Sequence, residues 1–217
     1  AVSDVDTSNA AFPFNTHKSF YIGHARVFAQ RLSYSGELGW EIFVTPDFAE
    51  YVFDVLMNAG KAFGLRLLGG EALNALRIEK GYRAWKGDLS TDYSLLEGGL
   101  GRFVKLDKPQ DFRGKAALQN EMQQGSKKGF ATMTLDNPGA ADAPYMSPIW
   151  VNGEVVGETT SGAWGYRIDK SVALGMIRTD VNIPGNKVEI EIYGQMITAT
   201  IHDDQPLWDP ENARIRA

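Results

Sequence analysis

The segment Arg31-Leu-Ser-Tyr-Ser-Gly-Glu-Leu-Gly-Trp-Glu-Ile42 gathers chemistry-bearing side chains more densely than any other part of this chain. Glu37 and Glu41 stand four apart, with Tyr34 and Trp40 as ring side chains and Gly36 and Gly39 among them. Successive side chains of a strand point to opposite faces. An unbroken strand here puts Glu37, Gly39 and Glu41 on one face and Leu38, Trp40 and Ile42 on the other. The second face reads as core. The first sets carboxylates beside a glycine that leaves room for a flat group against the backbone. One carboxylate accepts a parallel pair of N–H donors, and a pterin presents such a pair in its N3–H and 2-amino group. Taken alone, Glu41 reads as a solvated strand carboxylate, since acids usually face water.

The elements that must position these residues follow from periodicity. Arg26 to Tyr34 and Glu41 to Thr45 read as strands joined through residues 35–39. Pro46-Asp47 opens a helix whose apolar stripe is Phe48, Val52, Val55, Leu56 and Ala59, and Gly60 or Gly64 ends it. A second helix is expected from Glu71 to Lys80, with Ala72, Leu73 and Leu76 inward and Gly81 terminating it. Ala116 to Gln123 is a short third helix. From Lys127 onward the pattern changes to short β-type runs at 128–135, 148–151, 154–161, 172–178, 187–193 and 195–201. Val151-Asn-Gly-Glu154 is a two-residue hairpin signal, because Asn-Gly supplies the positive φ angles of a type I′ turn. Tyr193-Gly194-Gln195 is a second tight reversal. The expected fold class is α+β: a mixed region over 1–125, then a small six-stranded antiparallel β-barrel over 126–217.

Composition narrows the function. The chain has 217 residues, enough for one large domain or two modest ones. Net charge is −5 and Lys127-Lys128 is the basic doublet, so an electrostatic footprint for nucleic acid is missing. No apolar run approaches the roughly 18–20 residues of a membrane span, and no signal-peptide pattern opens the chain. The absence of cysteine excludes disulfides, thiolate nucleophiles and cysteine–zinc sites, and it suits a reducing compartment. His17, His24 and His202 lie too far apart for metal-ligand spacing, so no metal is expected. Asp4-Val-Asp-Thr-Ser-Asn9 reads like mid-domain sequence, which points to a piece of a longer chain.

Several segments together resemble the glycine-cleavage T-protein (aminomethyltransferase) family, and most closely the folate-binding portion of dimethylglycine and sarcosine dehydrogenases. They are Tyr34-Ser-Gly-Glu-Leu-Gly-Trp-Glu41, Leu76-Arg-Ile-Glu-Lys-Gly-Tyr-Arg-Ala-Trp85, Glu97-Gly-Gly-Leu-Gly101, Asp111-Phe-Arg-Gly-Lys115 and Trp208-Asp-Pro-Glu-Asn-Ala-Arg-Ile-Arg216. The opening Asp6-Thr-Ser-Asn-Ala-Ala-Phe-Pro-Phe14 fits the same branch. The resemblance implies an aminomethyltransferase-like folate-binding domain, present in part, and a C-terminal barrel. It implies tetrahydrofolate as the bound cofactor, capturing a one-carbon unit as 5,10-methylenetetrahydrofolate. The family's folate ligands fall on Tyr34, Glu41 and Tyr82. Glu41 is expected to hold the pterin's N3–H and 2-amino group, and the two tyrosines to offer ring faces or hydroxyls. The implied partner is a flavin-dependent dehydrogenase domain of the same longer chain, which carries the FAD. The implied setting is cytoplasmic, or the mitochondrial matrix in a eukaryote.

The departures are also informative. The family's catalytic aspartate lies upstream of anything matched here, so little activity is expected from this chain alone and no catalytic residue is assigned. An arginine the family carries four residues before Arg77 is replaced by Leu73. Arg77 and Glu79 sit two apart on a helix and do not face one another, so each is expected to pair with a neighbouring element. Trp40 and Trp85 are expected in the core. Gly98-Gly-Leu-Gly101 lacks the Gly-Lys-Ser/Thr of a phosphate loop and reads as a turn before a strand. Arg214 and Arg216 are within the reach of a folate glutamate tail or are simply solvated. Two other readings remain open: a free-standing aminomethyltransferase or folate-dependent demethylase, and a noncatalytic docking module.

Overall fold

The computed structural model describes residues 2–137, 139 and 141–216. They divide into two compact units, Ala1–Leu73 with Asp209–Ala217, and Asn74–Trp208.

The first unit is built on a three-stranded antiparallel sheet, β1 (His17–Ile22), β2 (Ala25–Gln30) and β3 (Glu41–Phe43), in that spatial order. Alternation in Ala25-Arg-Val-Phe-Ala-Gln30 decides its faces: Ala25, Val27 and Ala29 are buried. Register places Phe20 opposite Val27 and Ile22 opposite Ala25, so one face of the sheet is apolar except for Lys18, which lies opposite Ala29. Helix α1 (Pro46–Gly60) covers that face with Val52, Val55 and Leu56. Proline at its start gives up an N–H that would lack a partner anyway, and Gly64 at φ +71° ends the following 3₁₀ turn. Phe48, the first residue of the expected stripe, is 38% exposed.

The second strand ends earlier than the sequence suggests. Arg31 still exchanges backbone bonds with Thr16 and Asn15, but the chain then leaves the ladder and bends through 34–38, with Gly36 at φ +78°. The alternation expected over 37–42 therefore fails. Leu38 and Ile42 are both surface-exposed rather than core, because β3 is a three-residue edge strand preceded by irregular chain.

In the second unit the strands close a barrel in the order β4-β7-β6-β5-β8-β9. These are β4 (Lys128–Leu135), β5 (Pro148–Val151), β6 (Glu154–Gly165), β7 (Lys170–Arg178), β8 (Lys187–Ile192) and β9 (Gln195–His202). The α+β architecture and the six-stranded antiparallel barrel thus match the sequence reading. Asn152 and Gly153 both have positive φ and join β5 to β6, as do Tyr193 and Gly194 between β8 and β9. Closure removes the free edges that an open sheet would leave. Met133, Ile149, Ile177, Ile190 and Ile201 fill the interior and are fully buried. Gly157 is required by the close approach of β7: a Cβ there would lie 2.1 Å from the Met176 carbonyl oxygen.

Helix α2 (Gly70–Glu79) ends at Gly81, φ +67°, and α3 (Lys115–Gln124) precedes the barrel. The buried apolar residues of α2 are Ala75 and Ile78, not Ala72, which is exposed. Ile78 reaches the cluster of Phe130, Val172, Leu174 and Met176, and that contact sets the helix's rotation. Trp85 is 65% exposed rather than core, because it sits on a turn whose next residue, Lys86, has φ +70°. Gly98–Gly101 does form turns, yet it leads into a 3₁₀ helix at Gly101–Phe103 and not into a strand.

Ile149→Ala should destabilise the barrel unit by about 2–5 kcal/mol, through lost burial and the cavity left behind. Val155→Thr, at a half-exposed site on β6, should stay within about 0.5 kcal/mol. Urea denaturation of both variants checks this.

Candidate functional site

Arg31 organises the approach to Glu41. Its side chain is 1% exposed, its Nη1 donates to the Phe12 carbonyl at 2.5 Å, and its guanidinium lies 5.6 Å from the Trp40 ring centre. Phe12, fully buried, meets Trp40 edge-on. These contacts fasten both ends of the 31–40 loop. Tyr34 stands on that loop, 38% exposed. Gly39 does not leave open space against the backbone: a Cβ there would lie 3.2 Å from the chain's own Leu32 carbonyl. Glu37 accepts from Arg214 Nε at 3.1 Å, a surface pair that contributes little energy. That contact occupies Arg214 with a side chain of this unit.

Glu41 opens β3 opposite Gln30, and Phe43 lies opposite Phe28. Paired residues share a face, so Glu41, Phe43, Phe28, Gln30 and His17 form the side of the sheet turned away from α1. The rings are in contact there: Phe28 is 6.0 Å from Phe43 and 5.1 Å from His17, centre to centre. A groove of about 650 Å³ runs from these rings to the start of α1, lined by Ser19, Arg26, Phe28, Phe43 and Phe48 among others. Glu41 is exposed, and its carboxylate has no hydrogen bond or ion pair among the described residues. An uncommitted carboxylate at the margin of an aromatic face suits a flat ligand that carries adjacent N–H donors.

Tyr82 belongs to the second unit, two residues beyond Lys80 in the turn that follows α2. Arg77 holds it at both backbone groups: the Tyr82 N–H donates to the Arg77 carbonyl at 2.9 Å, and Arg77 Nη1 donates to the Tyr82 carbonyl at 3.1 Å. Arg77 also donates from Nε to Asn74, from Nη2 to Ser161 Oγ at 2.6 Å, and from Nη1 to Asp88. Glu79 pairs with Arg167 at 2.5 Å and accepts the backbone N–H groups of Arg167 and Ile168. Both helix residues therefore find partners on neighbouring elements, as their spacing predicts. Tyr34 and Glu41 are brought together in one unit, and Tyr82 lies in the other.

Sequence reasoning missed Asp88, Arg31 and the ring face. Asp88 had no local signal, because Thr160 and Ser161, which donate to it, are more than 70 residues away. The ring face was legible in Arg26-Val-Phe-Ala-Gln30, whose alternation puts Phe28 opposite the buried valine side. Among the described residues no group of His, Asp and Glu side chains gathers as a metal site, and no helix is long and apolar enough to cross a membrane.

Comparison with known proteins bears on both units. Residues 1–108 match the GCVT N-terminal domain, and residues 128–209 match the glycine cleavage T-protein C-terminal barrel domain. The chain belongs to the glycine cleavage T-protein family. Dimethylglycine dehydrogenase of Mus musculus is 40% identical over 212 residues, which cover 97% of this chain and 24% of that protein. Sarcosine dehydrogenase of Homo sapiens is 36% identical over 224 residues, 99% of this chain and 24% of that protein. An aminomethyltransferase of Halothermothrix orenii is 35% identical, over 82% of this chain and 49% of its own length. The chain thus spans about a quarter of the length of the dehydrogenases it matches. The crystal structure of aminomethyltransferase T from Bartonella henselae shares the fold, with a TM-score of 0.77 and 24% identity over 89% of this chain and 52% of its own.

Arg31→Met keeps the apolar stem but removes the charged donor to Phe12. The expected loss is about 1.5–3 kcal/mol of stability, the usual worth of a hydrogen bond to a charged group. Denaturant midpoints of the variant and the parent chain measure it, and equal midpoints would contradict the anchoring role.

Proposed function

We propose that this chain is the folate-binding, aminomethyltransferase-like module of a dimethylglycine- or sarcosine-dehydrogenase-type flavoenzyme. The observation that carries the reading is the uncommitted Glu41 carboxylate beside the Phe28–Phe43 face, in a chain related to both dehydrogenases over almost its whole length. Bound tetrahydrofolate supplies the N5 nucleophile that takes up the one-carbon unit, giving 5,10-methylenetetrahydrofolate. The residues of this chain bind and orient it. Glu41 accepts the pterin's N3–H and 2-amino hydrogens, while Tyr34 and Tyr82 border the pterin and its aminobenzoyl arm. Residues 1–125 form the folate-binding region and 126–217 its barrel.

Holding the acceptor in place makes the capture step effectively unimolecular, which is worth several kcal/mol. The proton transfer falls to an aspartate outside this chain, and amine oxidation to a flavin domain of the longer protein. The mitochondrial names of the dehydrogenase relatives favour the mitochondrial matrix if the source is eukaryotic. The aminomethyltransferase relative supports a second reading, in which the same module works without a flavin domain. Turnover of sarcosine or dimethylglycine only with an attached flavin domain separates the two.

Glu41→Gln should weaken tetrahydrofolate binding by about tenfold or more, since a charge-assisted bond is worth about 1.5–3 kcal/mol. Anaerobic titration followed by tryptophan fluorescence measures it. Unchanged affinity in a folded variant removes Glu41 from the site.

A further inference from the structure

We infer that Asp88 is a positioning residue for the ligand face of the second unit, acting through Arg77 on Tyr82. The inference rests on the folate reading for what Tyr82 touches, but not for how Tyr82 is held. Asp88 is fully buried. Its Oδ2 accepts from Arg77 Nη1 and from the Ala84 N–H at 2.8 Å, and its Oδ1 accepts from Thr160 Oγ1 at 2.5 Å and Ser161 Oγ at 2.8 Å. Ser161 in turn accepts from Arg77 Nη2, so the ion pair is closed into a ring of bonds.

A β-bulge makes this possible. The β6–β7 register passes from Thr159↔Gly175 directly to Ser161↔Leu174, leaving Thr160 as the extra residue. In a regular strand Thr160 and Ser161 would point to opposite faces. With the bulge, both hydroxyls reach the one carboxylate.

Removing water from a carboxylate is costly unless its lone pairs are used. Here four donors use them, and they come from three separate places: α2, the turn after Tyr82, and β6. The same Arg77 nitrogen that meets Asp88 also donates to the Tyr82 carbonyl, and the Ala84 N–H fixes the chain two residues further on. The backbone of 82–84 is thereby pinned on both sides of Tyr82's side chain. Arg77 spends its donors on Asn74, Tyr82, Asp88 and Ser161. Its charge is committed to the protein rather than offered to a ligand.

A double-mutant cycle on this chain tests the inference. Asp88→Asn presents an amide NH₂ to donors that need an acceptor, so tetrahydrofolate affinity should fall by about tenfold. In a Tyr82→Ala background the same substitution should change affinity by less than about twofold, because its effect passes through Tyr82. Arg77→Lys keeps a cation for Asp88 but lacks the fork that also reaches Tyr82, and it should show the same coupling. Amide exchange supplies the readout that does not depend on folate. Asp88→Asn and Arg77→Lys should speed exchange at Tyr82 and Ala84 while β8 and β9 stay protected. Additive effects in the cycle, or unchanged exchange at Tyr82 and Ala84, overturn the inference. If the parent chain binds no folate, the folate reading fails. The exchange result then decides alone whether Asp88 positions Tyr82.

Discussion

The buried ion pair of Arg77 and Asp88 is the constraint on which the second unit depends. A salt bridge taken out of water stabilises only when its remaining bonds are satisfied, and breaking one partner costs about 3–5 kcal/mol. Here every available neighbour is recruited to satisfy it: two hydroxyls from a bulged strand, a backbone N–H, and the carbonyl of Tyr82. The consequence is geometric as much as energetic. Helix α2, the turn that carries Tyr82 and strand β6 cannot shift separately without stranding a charge. The Glu79–Arg167 pair repeats the device two residues along α2, holding the 165–168 corner and, through the Glu79 carbonyl, the Trp208 backbone.

The first unit solves a different problem with a similar part. A three-stranded sheet has little depth, so the irregular 31–40 loop needs an internal anchor. Arg31 provides it, joining the Phe12 segment to the Trp40 ring. Burial of the loop's base leaves Tyr34 and Glu41 outside, and the strand register then brings Glu41 to the face that holds Phe28 and Phe43. Buried arginines fix the backbone in both units, and the Glu41 carboxylate is left exposed. This division of labour is what a binding module requires.

Much of this was legible before the structure. The barrel strands are readable because each is a β-type run closed by Asn-Gly, Tyr-Gly or another turn; β8 and β9 also keep alternation, whereas β4 and β7 are buried almost throughout. The helices were readable at both ends, from Pro46 and from Gly64 and Gly81. The sequence pattern points Leu38, Ile42 and Ala72 inward. Leu38 lies on the irregular loop, Ile42 faces α1 beside Ala29 but stays 37% exposed on a three-residue edge strand, and the Ile78 cluster rotates Ala72 outward. Trp85 is apolar in type yet sits on a turn. Of the proposed ligand residues, Glu41 and Tyr82 each carry a local motif, whereas Asp88 finds its partners only when the chain folds back at Thr160 and Ser161. No spacing along the sequence expresses that.

We propose that the 31–43 loop and strand of the first unit meet the pterin through Glu41. Amide hydrogen exchange of this chain with and without tetrahydrofolate tests it most directly. That proposal predicts slowed exchange at 31–43, with β8 and β9 unchanged. Slowing confined to the barrel strands, or none at 31–43 under saturating ligand, would contradict it.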